Sequence, residues 1–284
     1  MLNAADYGVP QDRQRLILMG AKRGEEVPAY PTTIAERPTC QAALADLPDA
    51  ELFEELRSSD SVNTSAFGKP SKYAESLRGL GNDAWAFGHP RKWDPSLLTS
   101  SARTEHTDIS RRRFRETDQG RVEPISRSFK LPADGVSNTL RAGIDSARGA
   151  FTSPRPIHYA YARCVTVREM ARLHGFPDWF RFNATKWHGA RQIGNAVPPP
   201  LARAVAAAII RALGVEPTRP TEAMALGDER LLTMGNTEAA AHFQVESPIG
   251  RRDKKSGAKK RKQEEIEASY ALNGRPEFVD GVAG

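Results

Sequence analysis

Residues 26–163 constrain this chain more than any other part of it. They are rich in Pro, Gly, Ser and Arg and carry little of the periodicity by which core helices and strands are recognised. So long a stretch without regular patterning is uncommon in a packed core and common in a binding surface held up by a scaffold. Within it, QAALADLPDAELFEELRSS supports one or two short helices. RVEPISRSFKLP, GVSNTLRAG and AFTSPRPIHYAYA read as loops and short strands. No internal repeat divides the region.

The flanks carry stronger local signals. Before the region, DYGVPQDRQR is loop-like and leads into LILMG, where Leu16–Met19 read as a buried strand ended by Gly20. Arg13 and Arg15 crowd the entry to that strand, a layout that places functional side chains at one end of a sheet. One strand builds no sheet, so its neighbours are expected from elsewhere. After the region, TVRE predicts a capping box from Thr166 to Glu169, with Val165 and Met170 placed to form a hydrophobic staple. That helix is expected to reach Leu173 or His174 and to stop at Gly175, with Pro177 beyond. Thr166, Arg168, Glu169 and Arg172 read as structural, and Phe176, Phe180 and Phe182 as core. GNAV then reads as a tight turn, in which Gly194 permits a close approach. A second helix starts after Pro198, Pro199 and Pro200, because proline is tolerated in the first turn. Leu201, Val205, Ala208, Ile209 and Ala212 share one face of it, and Gly214 is the expected cap.

Composition narrows the class. The 284 residues suffice for one large domain or two small ones, and 39% of them are hydrophobic at a mean hydropathy of -0.54. The longest apolar stretch, LARAVAAAII, is short and interrupted by arginine, which argues against a membrane span. The N-terminus lacks the pattern of a secretory signal. Cys40 and Cys164 are too few for a disulfide framework or a cysteine zinc site, so a reducing, cytoplasmic compartment is expected. The six histidines are scattered without ligand spacing, and no metal is expected.

The net charge is +6, and residues 215–284 hold 11 basic against 12 acidic residues, so the positive excess lies in residues 1–214. A basic body suits a phosphate-bearing partner. Arg111, Arg112, Arg113 and Arg115 form a compact run, suited equally to phosphate positioning and to a solvated loop. Residues 215–284, with the block RRDKKSGAKKRKQEEIE, read as a disordered charged tail.

Three segments, in order, resemble the C-5 cytosine-specific DNA methyltransferase family. YGVPQDRQRLILMG resembles the family's Gln-x-Arg-x-Arg motif through Gln11, Arg13 and Arg15. RCVTVREMARLHGFPDWFRF resembles its Thr-x-Arg-Glu segment, and RQIGNAVPPPLARAVAAAI its closing Gln-Ile-Gly-Asn-Ala-Val-Pro-Pro motif. The family's reaction has a thiolate attack C6 of a flipped-out cytosine, whose C5 then takes a methyl group from S-adenosylmethionine.

The departures from the family pattern shape the rest of the expectation. The catalytic cysteine should follow a proline well before the Gln-x-Arg-x-Arg motif. Here only ten residues precede that motif, Cys40 follows a threonine, and Cys164 enters the capped helix. The early glycine-rich cofactor loop and the Glu-Asn-Val segment are not found. The chain is therefore expected to be the C-terminal portion of such an enzyme. Its fold class would be α/β: an incomplete part of a Rossmann-like S-adenosylmethionine-dependent domain plus a mixed, loop-rich target-recognition domain.

The expected organisation follows. Residues 1–25 would be a catalytic-domain fragment, 26–163 the target-recognition region, 164–186 a linking helix and aromatic segment, 187–214 a return to the catalytic domain, and 215–284 the tail. The resemblance places Arg15 in the cytosine pocket, near the O2 atom; Arg13 beside it suits a catalytic role equally with a structural bridge or a DNA-backbone contact, and Gln11 suits a positioner. It places Asn195, Ala196 and Val197 beside the cofactor. Thr139 and Leu140 resemble the family's recognition pair, and Asn138 and Arg141 beside them are suited to reading base edges. The partners implied are double-stranded DNA and an N-terminal methyltransferase half or subunit, with no membrane. S-adenosylmethionine would be bound at a site this chain only partly supplies, the chain alone would be inactive, and the setting would be restriction–modification. The alternatives are a non-catalytic sequence-specific DNA-binding protein and an inactive truncated remnant.

Overall fold

The computed structural model describes residues 1–81, 88–143, 155–218, 220–246 and 268. Its helices are α1 (Cys40–Leu44), α2 (Lys72–Leu77), α3 (Asp108–Glu116), α4 (Val167–His174), α5 (Lys186–Asn195), α6 (Pro199–Ala212) and α7 (Asn236–His242). Among the described residues, strands pair only in twos. β1 (Leu2–Asn3) runs antiparallel to β2 (Gln14–Arg15), and β3 (Val62–Asn63) antiparallel to β5 (Leu97–Leu98). β4 (Arg91–Lys92) runs parallel to β6 (Met224–Ala225).

One piece of chemistry starts most of these helices. Thr39, Ser71, Thr107, Thr166 and Thr185 each sit at an N-cap in extended conformation, and each hydroxyl accepts a first-turn backbone N–H. This satisfies donors that have no partner inside the helix. At α4 the cap is reciprocal, because the Glu169 carboxylate also accepts from the Thr166 N–H at 2.7 Å. Val165 and Met170, the staple pair, are both fully buried. Gly175 ends α4 at φ 85°, and a Cβ there would lie 2.6 Å from Pro200 Cδ. Conformation and space both demand glycine at that position.

α4 is the middle of the main core. α1 and α5 pack against it, and Leu44, Leu56, Leu131, Leu140, Met170, Leu173, Phe182 and Ile193 fill the space around them. No residue of α4 is exposed, so its polar residues must find partners inside. Arg172 reaches Asp46 at 3.0 Å and Asp178 at 2.5 Å. Arg168 donates to the Thr99 hydroxyl at 2.6 Å and the Phe180 carbonyl at 2.8 Å. Glu169 takes both ends of the Arg163 guanidinium, at 2.8 and 2.9 Å. A smaller cluster joins Ala4, Tyr7 and Val9 to Leu201 on α6.

The structure corrects several expectations. Leu16–Met19 are not a buried strand: pairing stops at Arg15, and Leu16 and Leu18 are 68% and 83% exposed. Among the described residues no element covers them, and an apolar run does not by itself say what will. GNAV is not a free-standing turn. It closes α5, whose Ala196 C-cap is extended. On α6 only Leu201 and Ala208 of the expected face are buried, and Ile209 is exposed. Phe180 is likewise exposed, not core.

The segment from 215 to 246 is not a featureless tail. β6 pairs with β4, Asp228 caps a short 3-10 turn over Glu229–Leu232, and the Leu232 carbonyl accepts from the Ala184 N–H. The basic block after residue 250 lies outside the described residues. Lys186–Ala212 has the length and hydropathy of a membrane span, yet it is two helices separated at Ala196–Pro198.

Three histidines, His158 and His174 buried and His106 half-buried, set how this core responds to acid. Burial, then Arg155, pushes His106 down to about 4; burial pushes His158 to about 4; burial, then Arg13, pushes His174 to about 3. Their ordinary value is 6.5. The unfolded chain therefore takes up these protons first, and the stability they contribute is complete above pH 6.5 and lost as pH falls towards 4. Burial raises the Glu169 carboxyl, but Arg163 outweighs it and holds it at about 2, which adds a further loss at lower pH. The melting temperature followed by calorimetry is expected to fall steadily as pH drops from about 7 to about 4.5. A flat profile would show that these rings are not neutral in the fold.

Candidate nucleic-acid and cofactor site

Burial alternates from Gln11 to Arg15, with Gln11 and Arg13 buried, Asp12 and Gln14 exposed and Arg15 half-buried, the period expected of extended chain. Residues 137–140 run beside it. Asp12 N donates to Ser137 O at 2.8 Å and Ser137 N to Pro10 O at 2.9 Å, while the Thr139 hydroxyl donates to Asp12 O at 2.7 Å. Gln11 and Arg13 then grip both polar groups of Leu140. The Gln11 Oε1 accepts from Leu140 N at 3.1 Å, and Arg13 Nη1 donates to Leu140 O at 2.9 Å.

The same arginine reaches the end of α5, where Nη2 donates to Gly194 O at 2.8 Å and Ala196 O at 3.0 Å. Gly194 closes the node from the other side. A Cβ on it would sit 2.4 Å from Ala142 N and 2.6 Å from the Arg141 carbonyl carbon. Three segments distant in sequence thus meet backbone to backbone. The Arg13 guanidinium is 2% exposed and meets carbonyls, and among the described residues no carboxylate pairs with it. Burial, then the neighbouring Arg15, lowers it to about 10.

The node divides the expected site residues. Gln11, Arg13, Leu140 and the Ala196 carbonyl are inside it and act as anchors. Leu140 is 1% exposed and belongs to the core, so it makes no base contact in this conformation. Around the node, Arg15 is half-buried and gives one nitrogen to Gln14 O at 2.7 Å. Asn138, Arg141, Asn195 and Val197 are exposed. Asn195 lines a cavity of about 510 Å³ together with Asn183, His188, Arg191, Gln192 and Asn236. The arginine run lies on α3, where Arg111 pairs with Glu51 at 2.6 Å and Arg113 lies 3.8 Å from Glu123. Arg112 and Arg115 remain exposed. Cys40 is buried and Cys164 half-buried; burial pushes the Cys40 thiol up to about 12 and raises Cys164 as well.

The sequence offered no reason to single out His174. It is fully buried at the end of α4, with Nδ1 2.9 Å from Gln11 Nε2 and Nε2 3.1 Å from Ala196 O.

The model of the C-5 cytosine-specific DNA methylase family matches residues 1–211. This chain belongs to that family. It is 57% identical over 249 residues to the Type II methyltransferase M.XorII of Xanthomonas oryzae pv. oryzae, a match that takes in 88% of this chain and 58% of that protein. It is 28% identical over 211 residues to the Type II methyltransferase M1.HphI of Haemophilus parahaemolyticus, covering 74% of this chain and 47% of the relative. A crystal structure described as a DNA modification methyltransferase encoded within a prophage (E. coli) aligns at a TM-score of 0.52 and 27% identity, over 75% of this chain and 59% of that one. The chain thus spans about half the length of the curated relatives it matches.

Family membership corrects the reading of the chain as a C-terminal portion resembling the methylases at late motifs alone. The match is to the whole of residues 1–211, so the region 26–163 belongs to it as much as the motifs do. A match of 249 residues also runs past residue 214, into what had read as unrelated tail. The expectations built on the fragment reading lose that ground with it: an incomplete Rossmann-like part, a cofactor site only partly supplied, a chain inactive for want of its nucleophile, an N-terminal half or subunit as partner, and the non-catalytic or remnant alternatives.

Proposed function

We propose that this chain is a DNA (cytosine-5-)-methyltransferase acting within a restriction–modification system. It moves a methyl group from S-adenosylmethionine to C5 of a cytosine flipped out of a specific sequence in double-stranded DNA. The observation that carries the reading is the node itself. It fixes residues 11–15, 137–142 and 194–197 against one another and leaves Arg15, Asn138, Arg141 and Asn195 around its surface. A recognition edge, a base-side cation and a cofactor-side amide are thereby held on one rigid support, which is what reaction on an extruded base requires.

Each group has a chemical task. The Arg15 guanidinium donates to the cytosine O2 and opposes negative charge on the ring after attack at C6. Asn138 and Arg141 suit amide–adenine and guanidinium–guanine pairing in the major groove, and Thr139 holds their backbone in place. Arg112 and Arg115 suit phosphate contacts, in keeping with the positive balance of residues 1–214. The polar wall formed by Asn183, Gln192, Asn195 and Asn236 offers amide donors and acceptors that fit the amino-acid and ribose groups of S-adenosylmethionine. Val197 supplies an exposed apolar neighbour. When bound, the cofactor supplies an electrophilic methyl group. The family's reaction needs a thiolate at C6, and the two cysteines of this chain, Cys40 and Cys164, lie outside the node with burial raising both thiols.

The test is transfer of labelled methyl from S-adenosylmethionine to duplex DNA by the protein, with the product identified as 5-methylcytosine. DNA binding without any such label overturns the reading. Arg15→Ala is expected to lower kcat about tenfold to a hundredfold, the worth of a hydrogen bond to a charged group. An unchanged kcat would remove Arg15 from the base pocket.

A further inference from the structure

His174 joins the node from below, and its bonds admit one arrangement of protons. The Leu140 N–H donates to Gln11 Oε1, so the Gln11 amide must point its Nε2 the other way, at Leu173 O (3.3 Å) and His174 Nδ1 (2.9 Å). Nε2 of an amide only donates, so Nδ1 must accept and carry no proton. The ring's proton is then on Nε2, where it is given to Ala196 O at 3.1 Å. Any other tautomer sets a donor against a donor or leaves Ala196 O facing a lone pair. The ring has no room to turn away. It is fully buried and stacks on Phe176 with centroids 5.7 Å apart and planes 14° apart.

We propose that His174 is a positioning residue: its neutral Nε2–H tautomer orients the Gln11 amide and, with it, holds the recognition segment at Leu140 in register with the end of α5 at Ala196. The inference rests on the methyl-transfer reading for its functional consequence, though not for its geometry. Arg13 ties the same two residues through their carbonyls with a charged fork. His174 adds direction, because it takes the Gln11 Nε2–H at 2.9 Å where Leu173 O alone receives it at 3.3 Å, and a reversed amide faces the Leu140 N–H with another donor. Burial and Arg13 keep the ring unprotonated well below neutral pH, so the latch persists under working conditions.

The experiment has three readouts. Imidazole ¹⁵N shifts of the wild-type protein are expected to show Nδ1 bare and Nε2 protonated between about pH 5 and pH 8. A protonated Nδ1 in that range overturns the proposal without any variant. In His174→Phe, which keeps a flat ring but no bonds, amide exchange at Leu140 should speed up by about tenfold, the worth of one buried hydrogen bond, while Met170 in α4 keeps its protection. In His174→Gln, whose amide can accept from Gln11 and donate to Ala196, Leu140 protection should return. In the transfer assay His174→Phe should lower kcat about tenfold with little change in KM, and His174→Gln should restore it.

Unchanged Leu140 exchange or unchanged kcat in His174→Phe overturns the proposal. So does failure of His174→Gln to restore a protein whose α4 amides remain protected. If the wild type transfers no methyl group, the proposed activity fails, and the shifts and exchange rates still decide whether His174 orients Gln11.

Discussion

Gly194→Ala should cripple methyl transfer. By local propensity the change is favourable, since Gly194 sits in the last turn of α5 and alanine is about 1 kcal/mol better than glycine inside a helix. The space argument outweighs it. The new Cβ would lie 2.4 Å from Ala142 N and 2.6 Å from the Arg141 carbonyl carbon, and both atoms are backbone, so no rotamer change relieves the overlap. Overpacking of this kind costs about 1–3 kcal/mol. The segment at 141–142 must withdraw or the end of α5 must tilt, and either movement stretches the Arg13 bonds that tie Leu140 to Gly194 and Ala196. A displacement of about 1 Å at a reacting centre costs on the order of a hundredfold in rate. Transfer to DNA is therefore expected to fall about a hundredfold while the melting temperature drops by only a few degrees. Wild-type kinetics in Gly194→Ala would show that the node is not what aligns the recognition segment with the cofactor side.

That argument uses a contact the sequence did not disclose, and the reason is distance along the chain. Gln11 and Leu140 are 129 residues apart, Arg13 and Leu140 127. No local pattern records such a pairing: Arg13 read as a pocket group or a structural bridge, Gln11 as a positioner and Leu140 as half of a recognition pair, and nothing in the sequence joined Gln11 and Arg13 to the backbone of Leu140. α4 was legible for the opposite reason. Thr166, Glu169, Val165, Met170 and Gly175 all lie within its own ends and fix its start and stop by local chemistry.

α5 carried such a signal too, in Thr185. Gly189 and Gly194 obscured it, because glycine inside a helix counts against it. The structure shows why they are there: a Cβ on Gly189 would meet Val167 Cγ1 at 2.9 Å, so both glycines serve close approach. The segment after 214 was misread for its composition. It is polar and mixed in charge, yet Leu231 and Leu232 line one cavity with Phe180, Phe182 and Gln192, and the β4–β6 pairing holds its first half.

Removing the Arg172 side chain should cost more stability than any other single change considered. In Arg172→Met the long apolar side chain keeps much of the volume, so the loss is electrostatic. Asp46 and Asp178 have side chains 0% and 7% exposed, and both direct oxygens at the lost guanidinium. Breaking a buried pair by deleting one partner costs about 3–5 kcal/mol, because a charge is left in a medium that does not solvate it. Two neighbours soften the loss. Arg78 lies 3.6 Å from Asp46 and Arg168 3.7 Å from Asp178, though Arg168 is already committed to Thr99 and Phe180.

The expected result is a fall in melting temperature of several degrees, steeper at neutral pH than in mild acid, where the stranded carboxylates can take up protons. Adding Asp46→Asn and Asp178→Asn to Arg172→Met removes the stranded charges, and the triple variant should recover part of the loss. If the triple variant is no more stable than Arg172→Met alone, the destabilisation comes from the missing Ala43 carbonyl contact and packing, and the charge argument for α4 fails. The two variants differ in their predicted reach as well. Gly194 touches the node directly, whereas Arg172 faces α1 and the turn after α4, so Arg172→Met should unfold the protein at lower temperature while leaving the transfer rate of the folded fraction nearly intact.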